Sequence, residues 1–551
     1  MHMLLCRKPQ NLAWLLLALS AGLYGQSPTT GSLSGVVVNR ATNAPIRRAV
    51  VTLSTLETTP QDAVAWTDGA GRYSFSFLPA GRYQLFAGKD GFQAAAFGAE
   101  SRNRPPVILV LTAGENRPNV NLRLAPFSAV EGTVLDEGGD PLPGVEIQLM
   151  TAGYQKRKRM LFPTSGAMTD SDGRYRIPNV VPGKYAVMAQ TPQSIVKAQP
   201  EVSAGQPQEP RMYGALYYPG SASAESAALI SVEPGRDVEQ ISFRLPPPAS
   251  PATVQGKVAF PQGVAPSGPV RVLFLGAEFG SRSMMGTQAA PPEFTFHVQN
   301  LRQDRYKVMA RTSIDGREYS ANQEVDLRAQ SEASLALALE PAVDLAGSVK
   351  VEGPDAAGHI VEFVSLSPGD PRMQQSDRPV RASVNKDGTF LLRNVLPGVW
   401  DVNAGPIPRG GYLKSIHLGA QDVLVDDMLI SSKTNTPLHV VISTQAATLQ
   451  GEVKGAGESA RATVLVAPEG KYRGVTSFYR FASPDEKGHY EIKGLFPGKY
   501  RLYVMEDFDM AYVHDLDLLK PREATSLLVE LKDGEAATQD LTLLPRPGTN
   551  Q

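Results

Sequence analysis

Apolar and polar residues alternate in short stretches along this chain, which predicts β-strands rather than helices. Residues 145–149 (VEIQL) place Val, Ile and Leu on one side of a strand and two polar residues on the other, and residues 335–339 (LALAL) keep the same period of two. The 50 glycines and 44 prolines suit many tight turns between such strands. The pattern therefore predicts an all-β chain of short strands.

One hairpin pattern returns five times. A Gly-x-Val strand opens each unit, and an Asp-x-x-Gly turn, which is Asn385-Lys386-Asp387-Gly388 in the fourth copy, leads into an aromatic strand. A Pro-Gly pair, which is Pro-Ala-Gly in the first copy, precedes a second aromatic residue. The first copy reads TDGAGRY at 67–73 and LPAGRY at 78–83, and the divergent third copy, at 294–306, lacks both turn pairs. Repetition at a long period indicates an array of like units. We expect the Pro-Gly pair to form a type II turn with Gly at positive φ.

These motifs resemble the carboxypeptidase regulatory-like domain, a transthyretin-like sandwich close to the collagen-binding B-type repeats of surface adhesins. The resemblance extends over residues 31–545 and implies about seven short strands per unit in two packed sheets. Because the matching residues are structural, it implies fold more than function. The prediction is a tandem array of five Ig-like or transthyretin-like β-sandwich domains after a signal peptide. The expected segments are 1–26 (signal peptide), 27–126 (repeat 1), 127–248 (repeat 2, with a long insertion), 249–341 (divergent repeat 3), 342–444 (repeat 4) and 445–551 (repeat 5).

The first 26 residues have the pattern of a secretory signal. Arg7 and Lys8 precede an apolar run from Leu12 to Leu23, which is shorter than the roughly 20 residues that a bilayer span requires. Cleavage between residues 20 and 26 also removes Cys6, the only cysteine. We expect a secreted, periplasmic or cell-surface bacterial protein with no disulfide and no membrane span in its mature chain.

Charge and motifs argue against catalysis and against nucleic-acid binding. The net charge of -1 provides no global field that would attract nucleic acid. There is no HExxH, Walker A or Gly-x-Ser-x-Gly motif, and His359 and Glu362 are three residues apart on an expected strand, so they face opposite ways. The sequence Asp170-Ser171-Asp172-Gly173 reads as a hairpin turn, with a calcium loop as the alternative. We expect no enzyme activity, no cofactor and no metal site.

Aromatic residues provide the candidate ligand contacts, because exposed rings stack on the apolar C–H faces of sugars. The candidates for carbohydrate binding are Trp66, Tyr213, Tyr217 and Tyr218, with Tyr472, Phe478 and Tyr479 as further aromatics in repeat five. Trp400 occupies the strand position of Tyr83 in repeat one and is expected in the core.

The predicted function is that of a non-enzymatic binding or spacing protein of the bacterial cell envelope, with carbohydrate as the leading ligand. The first alternative is a protein-binding adhesin or structural scaffold that uses exposed edge strands. The second is an accessory regulatory module for a secreted peptidase or an outer-membrane receptor. The expected partner is thus a polysaccharide or a cell-surface protein. Exposed aromatics on one face would favour sugar, and an apolar patch or a charge-poor edge strand would favour protein.

Overall fold

The described part of the chain is almost entirely β-strand, which confirms the predicted fold class. The structure, a computed structural model, describes residues 30–56, 62–99, 106–155, 158–191, 213–264, 266, 268–276, 284–354, 356–370, 373, 379–454, 462–485, 487–506 and 519–543. The expected signal peptide lies outside these residues. The described strands form ten sheets, two for each repeat, so the repeats are tandem β-sandwich domains. We number these domains 1 to 5.

Domains 1 and 2 hold the first eighteen strands. Those of domain 1 are β1 (Gly31–Asn39), β2 (Val50–Thr55), β3 (Asp62–Trp66), β4 (Arg72–Leu78), β5 (Gly81–Gly88), β6 (Phe92–Gln93), β7 (Ala95–Ala96), β8 (Leu109–Leu111), β9 (Asn116–Arg117) and β10 (Leu122–Pro126). Those of domain 2 are β11 (Ser128–Leu135), β12 (Glu146–Gln155), β13 (Lys158–Met168), β14 (Arg174–Val180), β15 (Gly183–Gln190), β16 (Leu216–Tyr217), β17 (Ile230–Val232) and β18 (Phe243–Arg244).

Domains 3 to 5 follow the same plan. Domain 3 contains β19 (Ala252–Ala259), β20 (Val270–Gly276), β21 (Met284–Ala289), β22 (Thr295–Leu301), β23 (Arg305–Ile314), β24 (Arg317–Asp326), β25 (Glu332–Ala338) and β26 (Glu340–Pro341). Domain 4 contains β27 (Val343–Glu352), β28 (Phe363–Pro368), β29 (Val380–Ser383), β30 (Thr389–Val395), β31 (Gly398–Gly405), β32 (Tyr412–Leu418), β33 (Gln421–Asp422), β34 (Met428–Ile430) and β35 (Leu438–Ser443). Domain 5 contains β36 (Ala447–Lys454), β37 (Ala462–Pro468), β38 (Arg480–Ala482), β39 (His489–Leu495), β40 (Gly498–Glu506), β41 (Leu527–Leu531), β42 (Ala536–Thr538) and β43 (Leu541–Thr542). Short 3-10 helices span Ala356–Gly358, Gly470–Gly474, Thr476–Phe478 and Lys520–Thr525.

The two sheets of each domain have a constant arrangement. In the first sheet of domain 1, β1 lies between β4, which is antiparallel to it, and β10, which is parallel. In the second sheet, β2 lies between β3 and β5, both antiparallel. The equivalent second sheets are ordered β13-β12-β15, β21-β20-β23, β29-β28-β31 and β38-β37-β40. We call the side of each second sheet that points away from the sandwich core its outer face.

The glycine of each Gly-x-Val motif lies where two strands and an aromatic ring meet. A Cβ atom on Gly35 would overlap the carbonyl of Val120 and lie 2.9 Å from the hydroxyl of Tyr73. The Tyr73 hydroxyl donates a hydrogen bond to that carbonyl, as Tyr175 does to Ile241 and Tyr490 to Gln539. Burial raises the pKa of Tyr73 above its ordinary value. Only glycine leaves room for this packing, which explains the recurrence of the motif.

The second aromatic residue of each repeat stabilises the turn that precedes it, between the hairpin strand and the next strand of the second sheet. We call this turn the corner. The side chain donates to the carbonyl four residues earlier in all five domains, through Tyr83, Tyr185, Tyr306, Trp400 and Tyr500. Trp400 is buried, as expected for the core. Domain 3 keeps this bond although it lacks the Pro-Gly pair, so the corner depends on the aromatic residue rather than on the turn sequence.

The prediction of a type II turn at Pro-Gly is wrong. Gly81 and Gly183 do not have positive φ, and Gly398 and Gly498 have φ near 150°, far from the value of about +80° that this turn needs. The left-handed residue instead comes four positions before the glycine, for example Asn394 at φ 54°. There it forms a β-bulge against the opening strand, visible as a register shift between Val343 and Leu345.

Candidate binding face

The outer face of domain 1 carries exposed apolar side chains on strands β3, β5 and β8. Register places Val64 on β3, Thr52 on β2 and Phe86 on β5 in one row across the sheet. The neighbouring row consists of Trp66, Val50 and Gly88. From strand spacing and residue rise, the Cα atoms of Trp66 and Phe86 are about 12 Å apart. The two rings therefore belong to one continuous sheet surface.

These side chains are open to solvent. Trp66 is 66% exposed, Val64 57% and Phe86 37%, and Val110 on β8 extends the surface with 43%. The alternate residues of the same strands, such as Leu53 and Leu85, are buried in the core of domain 1. Strands β3 and β5 thus carry apolar residues on both sides, although a sandwich core needs only one apolar side. We call Val64, Trp66, Phe86 and Val110 the domain 1 patch.

A row of polar groups borders the two rings of the patch and separates them from Val110. Gln84 pairs with Ser54 on the outer face, one row further from Trp66 than Phe86, and Asp62 occupies the same row on β3. Beyond Trp66, Asp68 begins the hairpin turn, and hydrogen bonds from the backbone and the side chain of Arg72 hold the pKa of its carboxyl below the ordinary value. The surface therefore combines an apolar centre with hydrogen-bonding groups at its border.

The equivalent face of domain 2 is covered by that domain's own insertion. Tyr217 and Ala227 of the insertion pack on Met150 and Met188 of the outer face. Tyr217 has no exposed surface, so it is a structural cover and offers no ring to a sugar.

The other two tyrosines of the insertion are also placed by packing. Tyr213 is 2% exposed, belongs to the core of domain 2, and its hydroxyl donates to Glu137. Tyr218 is half-buried and contacts the ring of Phe243 edge-on at 6.1 Å. The structure does not bring these tyrosines together with Trp66 on one face. Of the four expected contacts, Trp66 is the one with a largely exposed ring.

The outer face of domain 3 is covered by the next domain. Leu273, Leu275 and Met309 on β20 and β23 form a buried cluster with Met373 of domain 4. Beside it, the Lys307 ammonium lies 2.9 Å from the Asp370 carboxylate. This apolar face is therefore part of an interdomain contact.

Domain 5 covers its own outer face, and domain 4 has a polar one. Leu465 and Tyr503 of domain 5 pack against Tyr479 and Leu519 from its connections. On domain 4 the outer face carries residues such as Ser365, Asp401 and Asn403, and Arg381 lies 3.8 Å over the ring of Phe363. Phe481 and Leu528 stay exposed beside the covered cluster of domain 5, whereas Trp66 and Val64 in domain 1 are left open by the described residues.

The remaining aromatic candidates of repeat five lie at the contact between domains 4 and 5. Phe478 stacks on Phe496 at 4.9 Å, and Tyr472 lies 4.7 Å from the same ring. Tyr412 of domain 4 packs edge-on against Phe496 and donates a hydrogen bond of 2.6 Å to Asp533. These rings join two domains and are not a free stacking surface.

The expected turn at Asp170 forms, and its carboxylate is used by the backbone. The Oδ1 atom accepts the N–H groups of Asp172 and Arg174, each at 2.9 Å. Asp68 and Asp485 make the same pair of bonds in their repeats. Within the described ranges no three His, Cys, Asp or Glu side chains are grouped to hold a metal ion. None of the described helices is long and apolar enough to cross a membrane.

Trp66 was named as a candidate from the sequence and is exposed, whereas Val64, Phe86 and Val110 were not named. A signal for them was present, because residues 83–87 (YQLFA) and 62–66 (DAVAW) carry apolar residues at both alternate positions. A strand that is apolar on both sides is either covered twice or leaves one side open. The alternation alone does not say which.

Comparison with known proteins matches two of the five domains to a family. The model of the carboxypeptidase regulatory-like domain matches residues 32–124 and 129–212. A curated relative, Colossin-A of Dictyostelium discoideum, is 30% identical over 137 residues; this covers 23% of the chain and 1% of the length of Colossin-A. The chain thus spans a very small part of that relative.

Among solved structures, the minor pilin GBS52 of Streptococcus agalactiae is 16% identical, with a TM-score of 0.23, over 40% of this chain and 98% of the pilin. The major pilin subunit BcpA of Bacillus cereus is 8% identical, with a TM-score of 0.16, over 56% of this chain and 99% of the pilin. The family that matches consists of non-catalytic, regulatory-like modules, and domains 3 to 5 share the strand order of the two matched domains. The carboxypeptidase regulatory-like model thus matches nearly all of domain 1 and the first part of domain 2.

Proposed function

We propose that this chain is an extracellular, non-catalytic binding and spacing protein, and that the domain 1 patch is its carbohydrate-binding surface. The observation that carries the proposal is the pair of exposed side chains, Trp66 and Phe86, on the outer face of one sheet. The extracellular location rests on the basic residues and the apolar run at positions 1–26.

The patch has the physical properties that sugar binding needs. An indole or phenyl face attracts the C–H side of a pyranose ring, and two such side chains on neighbouring rows of one sheet face can contact successive sugars of an extended polysaccharide. Gln84, Ser54 and Asp62 border the rings and offer donors and acceptors for sugar hydroxyls. The gain per ring is modest, about 1 kcal/mol, so the proposal requires a repeating ligand that contacts both rings.

Domains 3 to 5 suit the spacing part of the proposal because their contacts are specific. The buried Met373 joins domain 3 to domain 4, and the Tyr412–Phe496 contact joins domain 4 to domain 5. Buried apolar contacts of this kind restrict the hinge motion that is otherwise expected between tandem domains. An array whose domains are held together in this way keeps a binding face at a fixed distance from the opposite end of the array.

The test is retention of residues 27–551 on a panel of insoluble polysaccharides. We expect binding to at least one of them, and a loss of about tenfold in affinity for Trp66→Ala, the equivalent of about 1.4 kcal/mol. Phe86→Ala should weaken the binding of the same polysaccharide. Met284→Ala is the matched control, since it removes an apolar side chain of 59% exposure from domain 3. Equal binding by Trp66→Ala and the unchanged protein would refute the site.

A second candidate function is the binding of a protein segment at the same patch. The observation that favours it is that the apolar faces of domains 2, 3 and 5 are each covered by a protein side chain, namely Tyr217, Met373 and Tyr479. Strand β3 is also the edge of its sheet, and its sequence DAVAW contains no Lys, Arg or Pro that would discourage an added strand. Lack of retention on every glycan of the panel would place this candidate first.

A further inference from the structure

All five domains have an equivalent corner between the hairpin strand and the next strand of the second sheet. It starts with a left-handed residue at the β-bulge and ends four residues later. The end point is the first residue of β5, β15, β31 or β40 in four domains, and Asp304, just before β23, in domain 3. The left-handed residues are Phe77, Asn179, Asn300, Asn394 and Gly494, with φ between 54° and 75°. The structure of the corner therefore demands this backbone conformation in every repeat.

Phe77 is the exception among these five residues. Asn and Gly adopt the left-handed region at low cost, whereas a bulky side chain is strained there. The same conformation occurs in domain 3 at Phe294, where the ring packs 4.7 Å from that of Phe260 and against the core. Phe77, in contrast, is 82% exposed. A strained and exposed phenylalanine contributes little to the fold that contains it, which points to a role in binding.

The equivalent corners of domains 3 and 4 are contact surfaces for the preceding domain. In domain 3 the buried Arg302 donates from Nη1 to Gln190 Oε1 of domain 2 at 2.8 Å. In domain 4 the side chain of Asn394 donates to the carbonyl of Gly316 in domain 3, at 3.1 Å, and accepts the N–H of Glu318. In both cases the corner receives the end of a neighbouring sandwich.

The corner of domain 5 shows the apolar form of the same contact. Phe496 lies two residues after Gly494 and packs edge-on against Tyr412 of domain 4, with 5.3 Å between ring centres. An aromatic ring at this corner is therefore compatible with a sandwich-to-sandwich contact in this protein. The three filled corners differ in their side chains but agree in their occupant, which is always another repeat of this chain.

We propose that the corner of domain 1, with Phe77 as its anchor, docks a β-sandwich domain of a second copy of this chain. The occupant follows from the three filled corners, each of which holds a repeat of the same protein. The exposed ring supplies the apolar contact that Phe496 makes in domain 5, and its unfavourable backbone conformation is retained because the contact needs the ring. Phe77 belongs to a strand of the first sheet and Trp66 to a strand of the second, so the two proposals are tested by different substitutions.

Sedimentation velocity of residues 27–551 over about 1–100 µM tests this proposal, a range in which specific but moderate association is measurable. We expect concentration-dependent self-association that Phe77→Asn weakens at least tenfold, since Asn keeps the corner and removes the ring. Ile360→Asn removes a side chain of 78% exposure from domain 4 and should leave association unchanged. Hydrogen exchange of the β4 amides verifies that the Phe77→Asn variant is folded.

Two results would overturn the proposal. One is a monomer throughout the concentration range. The other is association of Phe77→Asn that is as tight as that of the unchanged protein, or that Ile360→Asn weakens equally. Trp66→Ala serves as a further control, because loss of glycan binding with intact self-association separates this surface from the domain 1 patch.

Discussion

The outer faces of domains 1 and 3 are built from the same strands and differ in what lies on them. In domain 3, Leu273 and Met309 are buried under Met373 of the following domain. In domain 1, Val64 and Trp66 face solvent. One sheet topology thus produces an interdomain contact in one repeat and an open apolar surface in another. The fold supplies the platform, and the connections between strands and domains decide whether it is used within the chain or remains available to a ligand.

The largest expected effect comes from placing a charge on each face. Leu273→Asp buries an unpaired carboxylate beneath Met373 and should lower the stability of domain 3 by about 3 kcal/mol or more. Val64→Asp puts the same group at an exposed position in domain 1 and should cost less than about 1 kcal/mol. Native-state hydrogen exchange of β20 and β2 measures the two domains separately. Equal losses would show that the domain 1 face is covered too.

Removal of the cover should loosen domain 3 without unfolding it. Met373→Ala deletes a buried side chain and should cost about 2 kcal/mol, at the lower end for such a change because the site is at a domain boundary. Amides of β20 and β23 should then exchange faster, whereas Met284→Ala, at an exposed site of the same domain, should change nothing. Unaltered exchange after Met373→Ala would mean that the contact contributes no stability.

Swapping the left-handed residues of two equivalent corners should change the stability of their domains in opposite directions, by about 1 kcal/mol each. Phe77→Asn relieves the left-handed strain and should stabilise domain 1, whereas Asn179→Phe introduces that strain at an exposed site of domain 2 and should destabilise it. Thermal unfolding of each variant, followed through the hydrogen exchange of the β4 and β14 amides, gives the sign of each stability change. The same sign for both changes would contradict the strain assigned to Phe77.

The smallest effect on stability is expected at the patch itself. Trp66→Ala should alter the stability of domain 1 by no more than about 0.5 kcal/mol, because most of the indole already contacts water. Urea unfolding, monitored through the hydrogen exchange of the β2 and β5 amides, measures this change in stability. A loss above about 2 kcal/mol would assign the ring to packing.

The local sequence was sufficient to predict the sandwich repeats, because glycine, the turn aspartate and the aromatic residues each act on nearby backbone. Trp400 was correctly predicted as core for the same reason. The burial of Tyr217 was not predictable in this way, since it depends on an insertion that folds back on Met150 and Met188, which lie far from it in sequence. The cover of domain 3 by Met373 is equally non-local.

The most direct test of the central claim compares the affinity of residues 27–551 and of Trp66→Ala, Phe86→Ala and Met284→Ala for the polysaccharide that the unchanged protein retains best. We expect about tenfold weaker binding for each of the first two variants, roughly additive in free energy because Trp66 and Phe86 lie about 12 Å apart on the sheet, and no change for the third. Binding that survives the loss of both rings would contradict the claim that the open face of domain 1 is the carbohydrate-binding surface.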